Sequence, residues 1–237
     1  MRIGLVSYRC ISGNISFNLS QIERALRDVH GNADLLCFGE AFLQGFNCLC
    51  WDYETDKAIA VDHDSDAIAR LKQLSVQYKT ALLVGYIEKD EQSIYSSCIV
   101  IDKGKTVHNY RRISKGWKVF SITDRHYCEG NETGEFDLHG IKIMLALCGD
   151  LWEYPQRFKT DNLLIWPVYL NFERDEWENG LPADYARQAA LAAKDTLMVN
   201  SIDYDPVSHG GSFRFQNGVV ADRIALDEED ILIVDVS

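Results

Sequence analysis

The sequence predicts a mixed-sheet α/β domain, and three observations lead there. Short apolar runs bounded by turn residues alternate with stretches of helical periodicity, several of those runs adjoin as hairpins, and no repeat or Pro/Gly-rich linker interrupts the chain. Residues 1–237 therefore read as one domain, long enough at 46% hydrophobic residues to bury a sizeable core.

The first element, RIGLVSY, is a short apolar run of strand type. From about Ser16 to His30, the side chains Phe17, Leu19, Ile22, Ala25, Leu26 and Val29 recur at near-helical spacing and predict an amphipathic helix. ADLLCFGE follows as a strand, Ile68, Leu71 and Leu74 mark a helix from about Asp64 to Tyr78, and TALLVGYIE is the next strand. SIYSSCIVID, a Lys103-Gly104 turn and KTVHNYRRI predict an antiparallel hairpin. IKIMLALCGD and DNLLIWPVYL read as buried strands, Tyr185 to Lys194 as an Ala-rich helix, and TLMVNSI as a strand. GGSFRFQNGVVADRI and DILIVDV supply two or three more strands around an Asn217-Gly218 turn.

Charge and cysteine usage narrow the function classes. With 24 Lys+Arg against 36 Asp+Glu the formal charge is −12, which repels phosphate backbones and anionic lipid surfaces, so neither nucleic acid nor membrane is expected as a partner. No run approaches the roughly 18 apolar residues of a membrane span, and the apolar start of MRIGLVSYRC is too short for a signal peptide. Seven cysteines, several inside apolar strands, suit the reducing cytoplasm. Neither these nor the six histidines show CxxC or HxxxH spacing, so no metal site is expected.

Three apolar strands end abruptly on a chemically capable side chain. In LLCFGEAFLQGF, Glu40 stands at a strand end against apolar walls, a setting that suits a general base, although a residue there could equally open a solvated loop. In IMLALCGDLWEYP, Cys148 ends an apolar run, and Gly149 leaves a backbone N–H unobstructed for a developing oxyanion. Most such cysteines are buried and inert, so the strand-end position is what raises Cys148 as a candidate. In HNYRRISKGWK, the cations Arg111, Arg112, Lys115 and Lys118 surround a Gly-Trp pair and could favour a thiolate, where the ordinary alternative is a solvated basic turn.

Together these segments resemble the nitrilase (carbon–nitrogen hydrolase) superfamily over nearly the whole chain. FGEAFLQGF is similar to its Pro-Glu-x-Phe-x-x-Gly-Tyr element, LALCGDLW to its Ile-Cys-Tyr-Asp element, and HGGSFRFQNGVV to its Gly-x-Ser-x-Ile-x-x-Pro-x-Gly element. The resemblance implies a four-layer α-β-β-α sandwich and a Glu–Lys–Cys triad with Glu40 as general base and Cys148 as nucleophile. It places Asp124, in TDRHYCEGNETG, near a supporting acid, and implies a homodimer paired through outer helices. No metal or organic cofactor is implied; the partner is a small amide or nitrile, amide being the commoner substrate of the superfamily.

One departure bears on the chemistry. The lysine that follows Tyr-Arg in the family is Arg112 here, so the cation is Lys115, less readily Lys118, or Arg112 itself. Lys115 is the expected choice because an ammonium can both hold an oxyanion and pass a proton, whereas a guanidinium stays protonated. Pro155 stands one place late after the cysteine, so the loop shaping the pocket must differ. The acidic stretch with Glu173, Asp175, Glu176 and Glu178 is either a solvated loop or a rim favouring a cationic or polar amide, and Cys48 and Cys50 read as loop packing near Trp51 and Tyr53. Arg112 also keeps open a second class, a binding protein that retains the fold without the activity. A serine hydrolase is set aside, since no Gly-x-Ser-x-Gly elbow is present.

Overall fold

The structure, a computed structural model, describes residues 1–236. Strands β1 (Arg2–Ser7), β2 (Leu35–Cys37), β3 (Ala81–Asp90), β4 (Ser93–Asp102), β5 (Lys105–Arg111), β6 (Glu135–Leu138), β7 (Ile141–Leu145), β8 (Leu163–Val168), β9 (Asp195–Asn200), β10 (Ile202–Tyr204), β11 (Val207–His209), β12 (Ser212–Gln216), β13 (Val219–Arg223) and β14 (Asp230–Asp235) form two six-stranded sheets and one small ribbon. The first sheet runs β14-β1-β2-β3-β4-β5, the second β13-β12-β9-β8-β7-β6, and β10 pairs with β11. In each sheet a central parallel trio, β1-β2-β3 or β7-β8-β9, is flanked by antiparallel strands. The helices are α1 (Ile15–Asp28), α2 (Tyr53–Asp56), α3 (Asp66–Tyr78), α4 (Asp150–Glu153), α5 (Arg174–Glu178) and α6 (Leu181–Ala189).

Alternation along the strands of the first sheet decides the layering. Ile3, Leu5, Leu35, Cys37, Ala81, Leu83, Cys98 and Val100 point into a core shared with the second sheet. Their neighbours Val6, Leu36, Leu82, Val84, Ile99 and Ile101 pack instead against Ile22, Ala25 and Leu26 of α1 and Ile68, Leu71 and Leu74 of α3. Fully burying each such Leu or Ile contributes about 1.5–3 kcal/mol. Across the second sheet, Tyr185, Ala186 and Ala189 of α6 join the cluster that holds Trp166, Phe213 and Phe215. The result is the expected α-β-β-α sandwich.

Local signals fix the ends. Asn14 and Ser65 cap α1 and α3 by accepting from the N–H groups of Phe17 and Ile68. Lys103-Gly104 and Asn217-Gly218 adopt positive φ (49° and 76°, 51° and 80°), as tight hairpin turns require. Helix α6 starts at Leu181, ahead of the expected Tyr185, with Pro182 in its first turn. Among the described residues no helix is long and apolar enough to cross a membrane.

Candidate active site

Glu40 stands beyond the carboxyl end of β2, where the chain leaves the first sheet and reaches the second: the Phe38 N–H donates to the Leu83 carbonyl at 2.9 Å and the Glu40 N–H to the Val168 carbonyl at 3.1 Å. Gly85 of β3 permits the crossing, since a Cβ there would lie 2.3 Å from the Gly39 carbonyl oxygen. Glu40 is fully buried. Its Oε1 accepts from Ser96 Oγ at 2.7 Å and from Arg112 Nη1 at 2.9 Å, while Oε2 is buried without a protein partner. A carboxylate so held keeps one oxygen for a proton.

Cys148 follows β7 and is bonded back to the second sheet, its N–H to the Pro167 carbonyl at 2.9 Å and its carbonyl accepting from Trp166 Nε1 at 2.8 Å. Its φ of +41° is unusual for a non-glycine residue and turns the side chain out of the sheet just before α4. The thiol is half-buried and lies 3.9 Å from the Tyr169 carbonyl. Burial first, then the Glu40 charge, push the thiol up to about 12, against the opposing pull of Arg112. With its pKa raised this far, the sulfur is a neutral thiol near pH 7. Among the described residues no acceptor is bonded to the Gly149 N–H, which remains available to a ligand.

The cation beside Glu40 is Arg112. It continues β5, bonded through its N–H to the Ser96 carbonyl at 2.9 Å, and its guanidinium is fixed by Ser114 Oγ on Nε at 2.7 Å as well as by Glu40. Nη2 has no hydrogen-bond partner among the described residues and packs over Gly149, where a Cβ would come within 2.4 Å of it. Burial disfavours its charge, but Glu40, Cys148 and Asp150 outweigh that and raise its pKa, so the cation is permanent.

Two residues singled out in the sequence stand apart from Glu40. Lys115, expected to supply the ammonium, is exposed three residues further along the turn, with its N–H 3.5 Å from Glu153 Oε2. The inward-pointing position is the one directly after the strand, and Arg112 holds it. Lys118 is engaged elsewhere, with the Tyr127 carbonyl and with Glu129 at 2.7 Å. Asp124, expected near a supporting acid, is exposed and pairs with His126 at 2.9 Å. Of the acids after β8, Glu173 and Glu176 cap α5 reciprocally and Glu178 pairs with Arg174 at 3.0 Å. The stretch is thus a capped, solvated helix start. Cys48 packs in a loop cluster with Trp51 and Trp117, and Cys50 donates to Asp56.

Sequence reasoning missed four residues that hold the site: Ser96, Tyr110, Ser114 and Asp150. Asp150 is fully buried and accepts from Leu147 N–H (2.9 Å), Ile113 N–H (3.1 Å), Ser114 N–H (2.8 Å) and Tyr110 Oη (2.5 Å). Its sequence signal was its place two residues after Cys148, on the Asp of the Ile-Cys-Tyr-Asp element, which does not reveal what the side chain holds.

Comparison with known proteins bears on the family and the fold. The Carbon-nitrogen hydrolase family model matches residues 2–157. The glutamine-dependent NAD(+) synthetase of Thermotoga maritima is 26% identical over all of this chain, which spans 42% of that protein's length. The 2-oxoglutaramate amidase of Bacillus subtilis is 24% identical over 73% of this chain and 69% of its own length. A CN-hydrolase superfamily protein from Xanthomonas campestris, solved with an arsenic adduct in its active site, superposes with a TM-score of 0.81 at 18% identity, covering 100% of this chain and 90% of that one. An amidase from a Nesterenkonia species, solved with acrylamide added at its active site cysteine, gives 0.77 at 18% identity, covering 100% and 93%. With well over half its residues matched by the family model, the chain belongs to the carbon–nitrogen hydrolase family.

Proposed function

We propose that the protein hydrolyses the carbon–nitrogen bond of a small primary amide through a thioester on Cys148, with Glu40 as general base and Arg112 in the place of the family's lysine. The observation that carries this reading is the joint contact of Glu40 and Arg112 beside the Cys148 elbow, with Glu40 Oε2 left unpartnered. Glu40 takes the thiol proton as sulfur attacks the carbonyl carbon, and the oxyanion is met by the Gly149 N–H and by Arg112 Nη2. The tetrahedral adduct collapses, the carbon–nitrogen bond breaks, and ammonia leaves with the proton that Glu40 returns. Glu40 then deprotonates a water that attacks the thioester, releasing the carboxylic acid and the thiol.

An amide is preferred to a nitrile because relatives named for amide chemistry outnumber the arylacetonitrilase of Aspergillus niger, which is 21% identical over 71% of this chain and 54% of its own length. The test is a panel of glutamine, 2-oxoglutaramate, a simple aliphatic amide and an arylacetonitrile, followed by ammonia release and by mass spectrometry of a +acyl adduct on Cys148. Turnover of an amide abolished by Cys148→Ser supports the reading. Tight binding of an amide with neither adduct nor ammonia supports the second reading, a binding protein, which the arginine in the lysine position favours.

The shared core, running from Ile3 to Val236, supports one catalytic unit over the chain. A groove of about 640 Å³ beside α4 and α6, in which Trp152, Phe172, Leu181, Tyr185 and Leu191 are flanked by Asp184, Arg187 and Gln188, supports pairing of two copies through these outer helices. Light scattering giving a strict monomer would end that part of the proposal.

A further inference from the structure

Asp150 opens α4, yet its carboxylate makes none of its four hydrogen bonds to that helix. Oδ1 takes the N–H groups of Ile113 and Ser114, the two residues after Arg112, at 3.1 and 2.8 Å. Oδ2 takes Tyr110 Oη from β5 at 2.5 Å and the N–H of Leu147, the residue before the nucleophile, at 2.9 Å. Ser114 in turn accepts from Arg112 Nε at 2.7 Å. A single buried carboxylate thus bridges the end of the first sheet and the elbow of the second, and the bridge continues through Ser114 to the guanidinium. A fully buried carboxylate is expensive to hold in place by any means other than charge-assisted hydrogen bonds, and all four partners belong to segments that carry Arg112 or Cys148.

We propose that Asp150 is a positioning residue that locks the Arg112–Ser114 turn onto the Cys148 elbow and so keeps the guanidinium beside the reacting sulfur. For its effect on turnover this rests on the hydrolase reading; for its effect on the thiol it does not. An asparagine at 150 keeps one acceptor oxygen and turns the other position into a donor, so one of the two pairs of donors loses its acceptor. Arg112 then drifts, and the thiol loses the one nearby cation that favours its thiolate.

The test is the rate at which iodoacetamide labels Cys148, mapped by peptide and read beside the other cysteines, in wild type, Asp150→Asn, Ser114→Ala, Arg112→Ala and the doubles with Arg112→Ala. Asp150→Asn and Arg112→Ala should each slow labelling by about tenfold, the change in thiolate fraction for one unit of pKa, and the double should be no slower than Arg112→Ala alone. Ser114→Ala should slow it less and likewise add nothing to Arg112→Ala; it carries the same test if Asp150→Asn fails to fold. Labelling of Asp150→Asn as fast as wild type, or faster, would mean that its charge acts directly on the thiol and would overturn the proposal. Multiplying losses in the doubles, or accelerated labelling of the buried Cys37 and Cys98, would overturn it too. Because labelling needs no substrate, absence of amide turnover in the wild type would end the hydrolase reading and leave this result standing.

Discussion

Arg112 Nη1 lies 2.9 Å from Glu40 Oε1, and the two side chains are 3% and 0% exposed. A pair this dry cannot be counted as simple stabilisation, since desolvating both charges offsets most of their attraction. Its consequence is geometric. One carboxylate oxygen is fixed by the guanidinium and by Ser96, and the other is buried without a protein partner. The guanidinium, pinned by Nε and Nη1, likewise has Nη2 left toward Gly149.

Removing one half of the pair should be costly in two ways. Arg112→Ala leaves Glu40 buried without its counter-charge and should destabilise the fold by about 3–5 kcal/mol in urea unfolding. It should also lower kcat by about 10²–10³-fold, the usual loss for one oxyanion donor. Lys115→Ala, by contrast, touches an exposed side chain and should change stability by no more than about 0.5 kcal/mol and leave kcat at the wild-type level. A loss of activity in Lys115→Ala with Arg112→Ala unaffected would reverse the assignment.

The raised thiol gives a pH prediction with a definite sign. With the thiol at about 12, labelling of Cys148 should climb without a plateau through the alkaline range, by about tenfold per pH unit. Glu40→Gln removes a negative charge that disfavours the thiolate, so the thiol pKa falls and labelling at a given pH speeds up. Hydrolysis in the same variant should fall by about 10²–10⁴-fold if Glu40 is the proposed base. Opposite movement of the two rates is the signature; a parallel fall would mean that Glu40 already assists the thiol in the free protein.

What was legible in the sequence was periodicity and strand-end chemistry. The alternation in ADLLCFGE and TALLVGYIE fixed which residues face which layer, and the abrupt ends at Glu40 and Cys148 marked two residues of which the first raises the pKa of the second. The cation was not legible, because a linear run of Arg111, Arg112, Lys115 and Lys118 does not say which of them still points inward when the strand stops. The end of β5 at Arg111 decides that, one residue before Arg112. Nor were the contacts of Asp150, whose partners Tyr110, Ile113 and Ser114 lie 36 to 40 residues away and meet it only when the sheets stack.

Glu88 offers a stability test away from the site. It is fully buried in β3 and accepts from Arg111 Nε at 3.0 Å and Nη2 at 2.6 Å, from Ser97 Oγ at 2.6 Å and from Asn109 Nδ2 at 3.1 Å. Burial alone would raise its pKa, but these donors outweigh it and hold the carboxyl below its ordinary 4.5. A depressed folded-state pKa contributes stability that is present above the unfolded value and fades as pH falls through the folded one. Glu88→Gln should therefore cost about 2–3 kcal/mol near neutral pH, and the gap from wild type should close in strong acid. A gap that stays constant with pH would show that packing, not charge, carries the contribution.

Gly149→Ala separates a seat for the guanidinium from a simple hinge. The Gly149 φ of −62° is one that alanine adopts freely, so no backbone strain is introduced. The added Cβ would meet Arg112 Nη2 at 2.4 Å and Ser114 Oγ at 3.1 Å, and the guanidinium must move away from the elbow. Stability should drop by about 1–3 kcal/mol, as for other overpacked sites, while kcat falls toward the Arg112→Ala level. Adding Arg112→Ala to Gly149→Ala should then restore room for the methyl group and recover part of that stability without recovering activity, which differential unfolding and ammonia release would read separately. If Gly149→Ala instead retains wild-type turnover, Arg112 is free to relocate, and the stabilisation of the oxyanion falls to the Gly149 N–H alone.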